Sequence, residues 1–365
     1  YWVSEFDVDG IRLDAADVLD FDFMRMLRRT AEEVKPDFWL MGEVIHGDYS
    51  RWVNGETLHS VTNYALHKAL YSGHNDHNYF EIAHTVKYLQ NMGNLDLYNF
   101  VDNHDVDRIY TKLSNKAHFT PVHILLYTLP GVPSIYYGSE FGIEGRKERS
   151  SDDSLRPALS LDDYETALGD NPCTALIAAL GQIRQHTPAL SYGSYAELHL
   201  TNRQFAFARD LNDVRVVVTV NNDDNAASMD LPAGNAAEYI GALSGQKVAV
   251  QDGRINVTVP ANSGEIWVPS GDMPEYKPFK VEISVKEETV TDEESIPADS
   301  EAPSSATEPV HFDPNKSPED MSVAELQAAI LAKMANNGPV SDQMKKTVNE
   351  NIWHDSLVNW LKSFR

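Results

Sequence analysis

The chain has 365 residues, enough for two or three domains, and its hydrophobic content of 42% is ordinary for a globular protein. Its 30 basic and 55 acidic residues give a net charge of −25, which argues against nucleic acid as a partner, because phosphate binding requires clustered Lys and Arg. The single cysteine, Cys173, excludes an internal disulfide and a cysteine-based metal site, and no apolar run approaches the roughly 20 residues of a membrane span.

From residue 1 to residue 190, short apolar runs alternate with helix-length amphipathic segments, which is the order expected of parallel β/α units. Strands are predicted at Gly10–Leu13, Phe38–Met41, Val61–Tyr64, Tyr98–Val101 and Val132–Tyr137. Helices are predicted at Phe21–Val34, Ala65–Tyr71, Tyr79–Met92, Ala117–Leu129 and Pro172–Gln185. The pattern indicates an α/β fold with fewer strands than the eight of a closed (β/α)8 barrel.

From residue 191 to residue 269, the pattern changes to short β-rich runs separated by turn residues. Strands are predicted at Ala196–Leu200, Gln204–Arg209, Val214–Val220, Arg254–Val259 and Glu265–Val268. This spacing predicts a small antiparallel β-sandwich as a second domain.

Residues 270–320 are acidic and rich in Pro and Ser, with 14 acidic and 4 basic residues between positions 271 and 320. Such a segment buries too little apolar surface to order itself, so we expect a disordered linker. Residues 321–365 are predicted to form a helical tail, because a capping box, Ser322 to Glu325, begins one helix and apolar spacing continues from Asp342 to Phe364. The tail is expected to pack as a small hairpin, with binding to a glucan or a protein partner, or contact within an oligomer, as the alternative.

Three acidic residues follow predicted parallel strands at their carboxyl ends, where barrels of this kind carry catalytic groups. Strand alternation puts Arg12 on the same face as Asp14, so that the guanidinium can pair with the carboxylate and keep it ionised. Glu43 leaves an apolar strand, which favours a raised pKa and work as a general acid. Asp105 has polar neighbours on either side. Taken singly, each residue has a structural alternative: an ion pair, an ordinary strand end or a helix N-cap.

Taken together, four segments in order are far more specific than any one of them. They are Asp9-Gly-Ile-Arg-Leu-Asp14, Gly42-Glu-Val44, Phe100-Val-Asp-Asn-His-Asp105 and Gly131-Val-Pro-Ser-Ile-Tyr-Tyr-Gly-Ser-Glu140. Their order and spacing resemble the second half of the catalytic domain of glycoside hydrolase family 13, the α-amylase family, and residues 191–269 resemble its C-terminal domain. The resemblance implies that residues 1–190 are the C-terminal part of a (β/α)8 (TIM) barrel, containing strands 4 to 8 only.

The resemblance also implies roles for individual residues. Asp14 matches the nucleophile, Glu43 the acid/base and Asp105 the transition-state stabiliser. Arg12 matches the partner of the nucleophile, and His104 matches a sugar-binding histidine. A retaining glycosidase needs one carboxyl group to attack the anomeric carbon and a second to protonate the leaving oxygen, and a third carboxylate would help offset the positive charge of the transition state.

Three further residues are predicted to bind substrate. Val44 and His46 lie where the family often lines its acceptor subsites, and packing is the alternative for both. Arg156 is predicted to reach the substrate cleft, with an ordinary surface loop as the alternative. No metal ligand is predicted, since the segment from His74 to His77 is better explained as a polar loop, and the mechanism requires no cofactor.

The sequence departs from the family pattern at its beginning. It starts at Tyr1 and lacks the family's first block, an Asp followed closely by Asn and His, together with the first three strands. We therefore expect the chain to be part of a longer enzyme, with any structural calcium site in the missing N-terminal part, and to be unstable or inactive alone.

These observations predict a retaining glycoside hydrolase that cuts α-1,4 bonds, with α-1,6 as a second linkage, in maltodextrin, cyclodextrin or starch oligosaccharides. The alternatives are a transglycosylase of the same family and a non-catalytic glucan-binding or scaffold protein. A cytoplasmic location is favoured over a secreted one, because Val44 and His46 resemble the corresponding residues of maltodextrin-degrading members, many of which are intracellular. The expected partner is an α-glucan, and neither nucleic acid nor a membrane span is expected.

Overall fold

A computed structural model of the chain describes residues 1–272, 316–318, 321–335, 348 and 361–362. The chain divides into two compact units, Tyr1–Glu287 and Glu288–Arg365. Most of the predicted linker at 270–320, and nearly all of the second helix predicted in the tail, lie outside the described residues. None of the helices in the described residues has the length and hydrophobicity of a membrane-spanning segment.

Five short parallel strands supply the framework of the first half of the chain. They are β1 (Gly10–Leu13), β2 (Trp39–Gly42), β3 (Ser60–Val61), β4 (Tyr98–Phe100) and β5 (Val132–Ser134). Strand β1 pairs with β2, β2 with β3, and β4 with β5, all in parallel. A parallel bridge between Thr62 and Tyr98 joins the two groups, so that neighbours in sequence are neighbours in the sheet. Their carboxyl ends therefore lie along one edge.

Helices alternate with these strands. They are α1 (Trp2–Phe6), α2 (Phe21–Val34), α3 (Tyr64–Asn75), α4 (Tyr79–Gln90), α5 (Ile109–Lys112), α6 (Phe119–Thr128), α7 (Ala167–Asp170), α8 (Pro172–His186) and α9 (Pro188–Tyr192). Side-chain caps fix the start of α2 and α8, where Asp20 accepts from the N–H of Phe23 and Asn171 from the N–H groups of Cys173 and Thr174. Both helices begin where the sequence predicts them.

The antiparallel region forms two sheets. Its strands are β6 (Ser194–Leu200), β7 (Gln204–Leu211), β8 (Val214–Asn221), β9 (Ala227–Pro232), β10 (Glu238–Gly241), β11 (Lys247–Ala249), β12 (Arg254–Val259) and β13 (Ser263–Pro269). One sheet has the order β11-β10-β13-β8-β7-β6, and the other pairs β12 with β9. This confirms a sandwich, and it adds β9, β10 and β11 to the strands predicted from the sequence.

The six-stranded sheet is buried on both faces in its centre. Phe205 and Phe207 of β7 belong to a core that also contains Leu125 of α6 and other helix residues. Ala206 between them, and Trp267 of β13, belong to a second core shared with β9 and β12. The sheet thus joins the helices of the first half to the outer sheet of the sandwich.

In the second unit, helix α10 covers Val323–Ala335. The predicted capping box is confirmed, since the N–H of Glu325 donates to Oγ of Ser322 at 3.3 Å and the N–H of Ser322 donates to Oε2 of Glu325 at 2.7 Å. Leu326 and Ile330 are buried on one side of the helix, as its spacing predicts.

Candidate active site

The carboxyl ends of β1 and β2 lie side by side and carry Asp14 and Glu43. The N–H of Glu43 donates to the carbonyl of Leu13 at 2.8 Å, and the N–H of Ala16 donates to the carbonyl of Glu43 at 2.8 Å. The backbone ladder therefore continues past both strands and fixes the two acidic residues as neighbours.

The residue after Asp14 has an unusual backbone conformation. Ala15 has a φ of 45°, in the left-handed region that residues with a Cβ rarely adopt. The conformation turns the chain sharply into the short 3-10 helix Ala16–Val18. Strain of this kind persists only where the surrounding contacts hold it, and it is concentrated at functional sites.

Arg12 contacts both carboxylates, but not in the way the sequence predicted. Its Nη2 lies 2.9 Å from Oε2 of Glu43, whereas its Nη1 lies 4.0 Å from Oδ1 of Asp14. The closer partner is therefore on the adjacent strand, because parallel pairing brings the end of β2 beside Arg12. The Asp14 side chain is 87% exposed and the Glu43 side chain 13% exposed.

Burial raises the pKa of Glu43, and the neighbouring carboxyl of Asp14 raises it further, while the Arg12 guanidinium lowers it. The net shift is upward, in the direction that the apolar strand predicts. A carboxyl group that keeps its proton to a higher pH is suited to donating it.

Asp105 lies among polar side chains from two loops. Its Oδ2 is 3.0 Å from Nε2 of His104, and its Oδ1 is 3.2 Å from Nη2 of Arg156 and 4.0 Å from Nζ of Lys147. Asp152 holds the same two cations, at 3.0 Å from Arg156 and 2.5 Å from Lys147. Arg156 thus contacts Asp105, and its substrate-binding role stays a prediction. Lys147 and Asp152 were not among the predicted residues.

Two residues that the sequence analysis missed join the two halves of the site. The hydroxyl of Tyr64, the first residue of α3, donates to Oε1 of Glu43 at 3.4 Å. Nδ2 of Asn103 donates to that hydroxyl at 3.2 Å, and Oδ1 of Asn103 accepts from the N–H of Asp105 at 2.8 Å. Asp14, Glu43 and Asp105 are therefore parts of one connected cluster at the carboxyl edge of the strands.

The residues that follow Glu43 do not all face this cluster. Val44 is fully buried, and its backbone is held by Thr62, whose Oγ1 accepts from the Val44 N–H at 2.9 Å and donates to the Val44 carbonyl at 2.9 Å. The prediction that Val44 binds substrate is therefore wrong for its side chain, which belongs to the same buried core as Trp52. His46 is exposed, and its substrate-binding role stays a prediction.

The histidines between positions 74 and 77 have structural partners. Nδ1 of His74 lies 2.6 Å from the carbonyl of Leu70, and Nδ1 of His77 lies 2.8 Å from the carbonyl of Asn222. In the described part of the chain, no group of three or more His, Cys, Asp or Glu is placed to hold a metal ion. No step of the chemistry proposed below uses one.

Comparison with known families and proteins agrees with this arrangement. The family described as "Alpha amylase, catalytic domain" matches residues 1–172, and that described as "Alpha-amylase C-terminal domain" matches residues 193–267. The chain is 30% identical to a cyclomaltodextrinase of Thermoanaerobacter pseudethanolicus over 229 residues, which are 61% of this chain and 38% of the relative. It is 26% identical to neopullulanase 2 of Thermoactinomyces vulgaris over 277 residues, which are 73% of this chain and 46% of that relative.

The chain thus spans less than half the length of these two curated relatives. Among solved structures, an α-amylase of Anoxybacillus superposes with a TM-score of 0.64 at 22% identity, over 73% of this chain and 60% of the amylase. With both family domains matched in order, the chain belongs to the α-amylase family, glycoside hydrolase family 13.

Proposed function

We propose that this chain carries the catalytic carboxyl groups of a retaining glycoside hydrolase. Its substrates would be the α-1,4 bonds, with α-1,6 bonds as a second class, of maltodextrin, cyclodextrin or starch oligosaccharides. The proposal takes its substrate class from relatives named cyclomaltodextrinase and neopullulanase. The observation that carries it is the contrast between Asp14 and Glu43: neighbouring carboxyl groups, one exposed and one largely buried with a raised pKa.

The contrast suits the two steps of a retaining mechanism. Asp14, open to the substrate side, attacks the anomeric carbon and forms a glycosyl ester. Glu43, whose proton is held by burial, protonates the leaving oxygen and then, as a carboxylate, takes a proton from the water that hydrolyses the ester. Asp105 offsets the positive charge that develops on the sugar ring. Arg156 and His104 hold the Asp105 carboxylate in position.

We also propose that β1 to β5 correspond to strands 4 to 8 of the family's (β/α)8 barrel. Their parallel pairing in chain order supports this assignment. It places Asp14, Glu43 and Asp105 at the carboxyl ends of strands, where such barrels bind their substrates.

The experiment traps the covalent intermediate in the Glu43→Gln variant. Maltotriosyl fluoride is the substrate, because its leaving group departs without an acid. The ester then accumulates, since no base remains to activate water. Peptide mass mapping is expected to find a maltotriosyl adduct on Asp14, and cyclodextrin hydrolysis is expected to fall by about 10²- to 10⁴-fold.

The matched control is the Asp14→Asn, Glu43→Gln double variant, which should carry no adduct. Hydrolysis that survives Asp14→Asn unchanged would contradict the mechanism, and glucan binding without turnover or adduct would favour the non-catalytic alternative. The ratio of hydrolysis to transfer products at high oligosaccharide concentration distinguishes a hydrolase from a transglycosylase, because a transglycosylase gives mainly transfer products.

A further inference from the structure

The hydroxyl of Tyr64 lies at the centre of the candidate site on a rigidly held ring. The ring meets that of Phe100 edge to face, at 4.9 Å between centroids and 80° between planes. Asn63, the preceding residue, accepts from the N–H of Leu66 and donates from Nδ2 to Oδ1 of Asn99 at 2.8 Å. The start of α3 is thereby tied to β4, and the position of the Tyr64 hydroxyl is fixed by both elements.

The hydrogen bonds around this hydroxyl run in one direction. The N–H of Asp105 donates to Oδ1 of Asn103, so Nδ2 is the Asn103 atom that faces Tyr64 and must donate to its oxygen. The single proton of the Tyr64 hydroxyl is then free to be donated onward to Oε1 of Glu43. The chain of donors therefore runs from the backbone of Asp105 to the carboxyl of Glu43.

We propose that Tyr64 is a positioning residue of the active site, which holds Oε1 of Glu43 while Arg12 holds Oε2. The two contacts, at 3.4 Å and 2.9 Å, engage one carboxyl oxygen each and fix the plane of the group. Through Asn103, the same contact couples the orientation of Glu43 to the loop that carries Asp105. The inference deepens the proposed function, because it rests on Glu43 as the acid/base.

The contact has a chemical consequence for the acid/base cycle. A hydroxyl that donates to a carboxylate stabilises the charged form. The contact from Tyr64 at 3.4 Å would therefore act on Glu43 in the same direction as Arg12, and against burial and the carboxyl of Asp14. These are the titratable and charged groups that face Glu43 in the described residues, with Asp105 acting on the far side of Tyr64. The hydroxyl thus favours the state in which Glu43 has given up its proton.

The test measures the pKa of Glu43 directly in the Tyr64→Phe variant. Carbon-13 NMR of the glutamate carboxyl groups reports the titration, and Glu43→Gln assigns the resonance. Loss of the donated hydrogen bond is expected to raise the pKa of Glu43 by about half a unit. The Asn103→Ala variant removes the group that orients the hydroxyl, and it should shift the pKa in the same direction.

Tyr71→Phe is the matched control, because Tyr71 lies two turns further along α3 and also packs against His67. Tyr71→Phe removes a hydroxyl from the same helix without touching Glu43, so it should leave the titration of Glu43 unchanged. An unchanged pKa in folded Tyr64→Phe protein overturns the proposal, and should that variant fail to fold, an unchanged pKa in Asn103→Ala does so.

Activity supplies a separate readout. The basic limb of the pH–rate profile, which requires protonated Glu43, should move upward by the same amount in Tyr64→Phe. A pKa shift without any glycosidic turnover would contradict the proposed function and leave the positioning role intact. If the Tyr64→Phe variant turns over substrate, but neither the pKa of Glu43 nor the basic limb of the pH–rate profile moves, the positioning role alone is contradicted.

Discussion

Two aspartates in one segment show how strongly the environment decides the behaviour of a side chain. Asp105 is one-third exposed and paired with cations. Asp102, three residues earlier, is 1% exposed, and its Oδ2 accepts from the N–H of Ile109 and from Oγ of Ser139, each at 2.7 Å. Burial raises the pKa of Asp102 to about 6. Asp102 therefore supports the start of α5, whereas Asp105 is open to a ligand.

Replacing Asp102 with Asn should stabilise the protein more at pH 7 than at pH 4. The pKa of Asp102 is higher in the folded than in the unfolded state, so its ionisation lowers stability as the pH rises from about 4 to 6. The uncharged amide keeps an oxygen acceptor and removes this loss. We expect the effect of the substitution on the free energy of unfolding to differ by about 2 kcal/mol between the two pH values.

Denaturant unfolding at pH 4 and pH 7 measures this difference. Asp213→Asn, at an exposed turn, is the matched control. Equal effects of Asp102→Asn at both pH values would show that folding does not raise the pKa of Asp102.

Helices α3 and α6 carry buried neutral histidines. Burial lowers the pKa of His74 to about 3 and that of His123 to about 4. Nδ1 of each lies close to the carbonyl four residues earlier, at 2.6 Å from Leu70 and 2.7 Å from Phe119. Protonating either ring would place a charge inside the core, so both helices are expected to be sensitive to acid.

The His123→Leu variant should be less sensitive to acid than the parent protein. The unfolded chain takes up a proton at His123 below about pH 6.5, whereas the folded chain does not, so stability falls from pH 6.5 towards about 4. Removing this group should reduce the slope by up to about 1.4 kcal/mol per pH unit. Thermal unfolding across this range measures the slope, and an exposed histidine of α4 gives the control, His84→Leu. An unchanged slope in His123→Leu would contradict the assignment.

The accuracy of the predicted elements followed the strength of their local signals. Helix α2 has a capping residue and a clear apolar stripe, and its bounds were predicted fully. At β3 the apolar run was read as Val61–Tyr64, but the Asn63 side chain caps the N–H of Leu66, so the helix already begins at Tyr64. The strands β9 to β11 depend on partners far away in sequence, and short segments of this kind carry little periodicity.

Residues of the candidate site could be predicted where a single segment showed both a strand and the acidic residue that follows it. Asp14, Glu43 and Asp105 each follow a strand, and the structure brings them together. Tyr64 was missed because the strand that precedes it was drawn too long. Lys147 was missed because its contact with Asp105 depends on how a distant loop returns to the site.

At the scale of the molecule, helices α3, α6 and α8 share one hydrophobic core with the sandwich, whereas β1, β2 and β3 belong to a separate core. Phe207, on the face of β7 towards the helices, is fully buried in the cluster that contains residues of α3, α6 and α8. Phe207→Ala should lower the free energy of unfolding by about 3 to 5 kcal/mol. Hydrogen exchange should then quicken together in α6 and α8 and in β6–β8, because these elements contribute to the same core.

The matched substitution is Val257→Ala, in the core between the two sheets of the sandwich. It should act more strongly on the sandwich than on α6 and α8. Protection of the α6 and α8 amides that survives Phe207→Ala unchanged would show that the helices and the sandwich unfold independently.

The double burial of β7 also determines how this strand finds its partners. In a sheet with one solvent-exposed face, a shift of the strand pairing by one residue exposes apolar side chains, so the polarity pattern alone determines the register. In β7 both faces are buried. A shift of the pairing by one residue would exchange the positions of Phe205 and Phe207 with those of Ala206 and Ala208, and all four side chains are fully buried. What distinguishes the correct register is volume, with large rings towards the helices and methyl groups towards the outer sheet. For this strand, side-chain size rather than polarity therefore determines the pairing register.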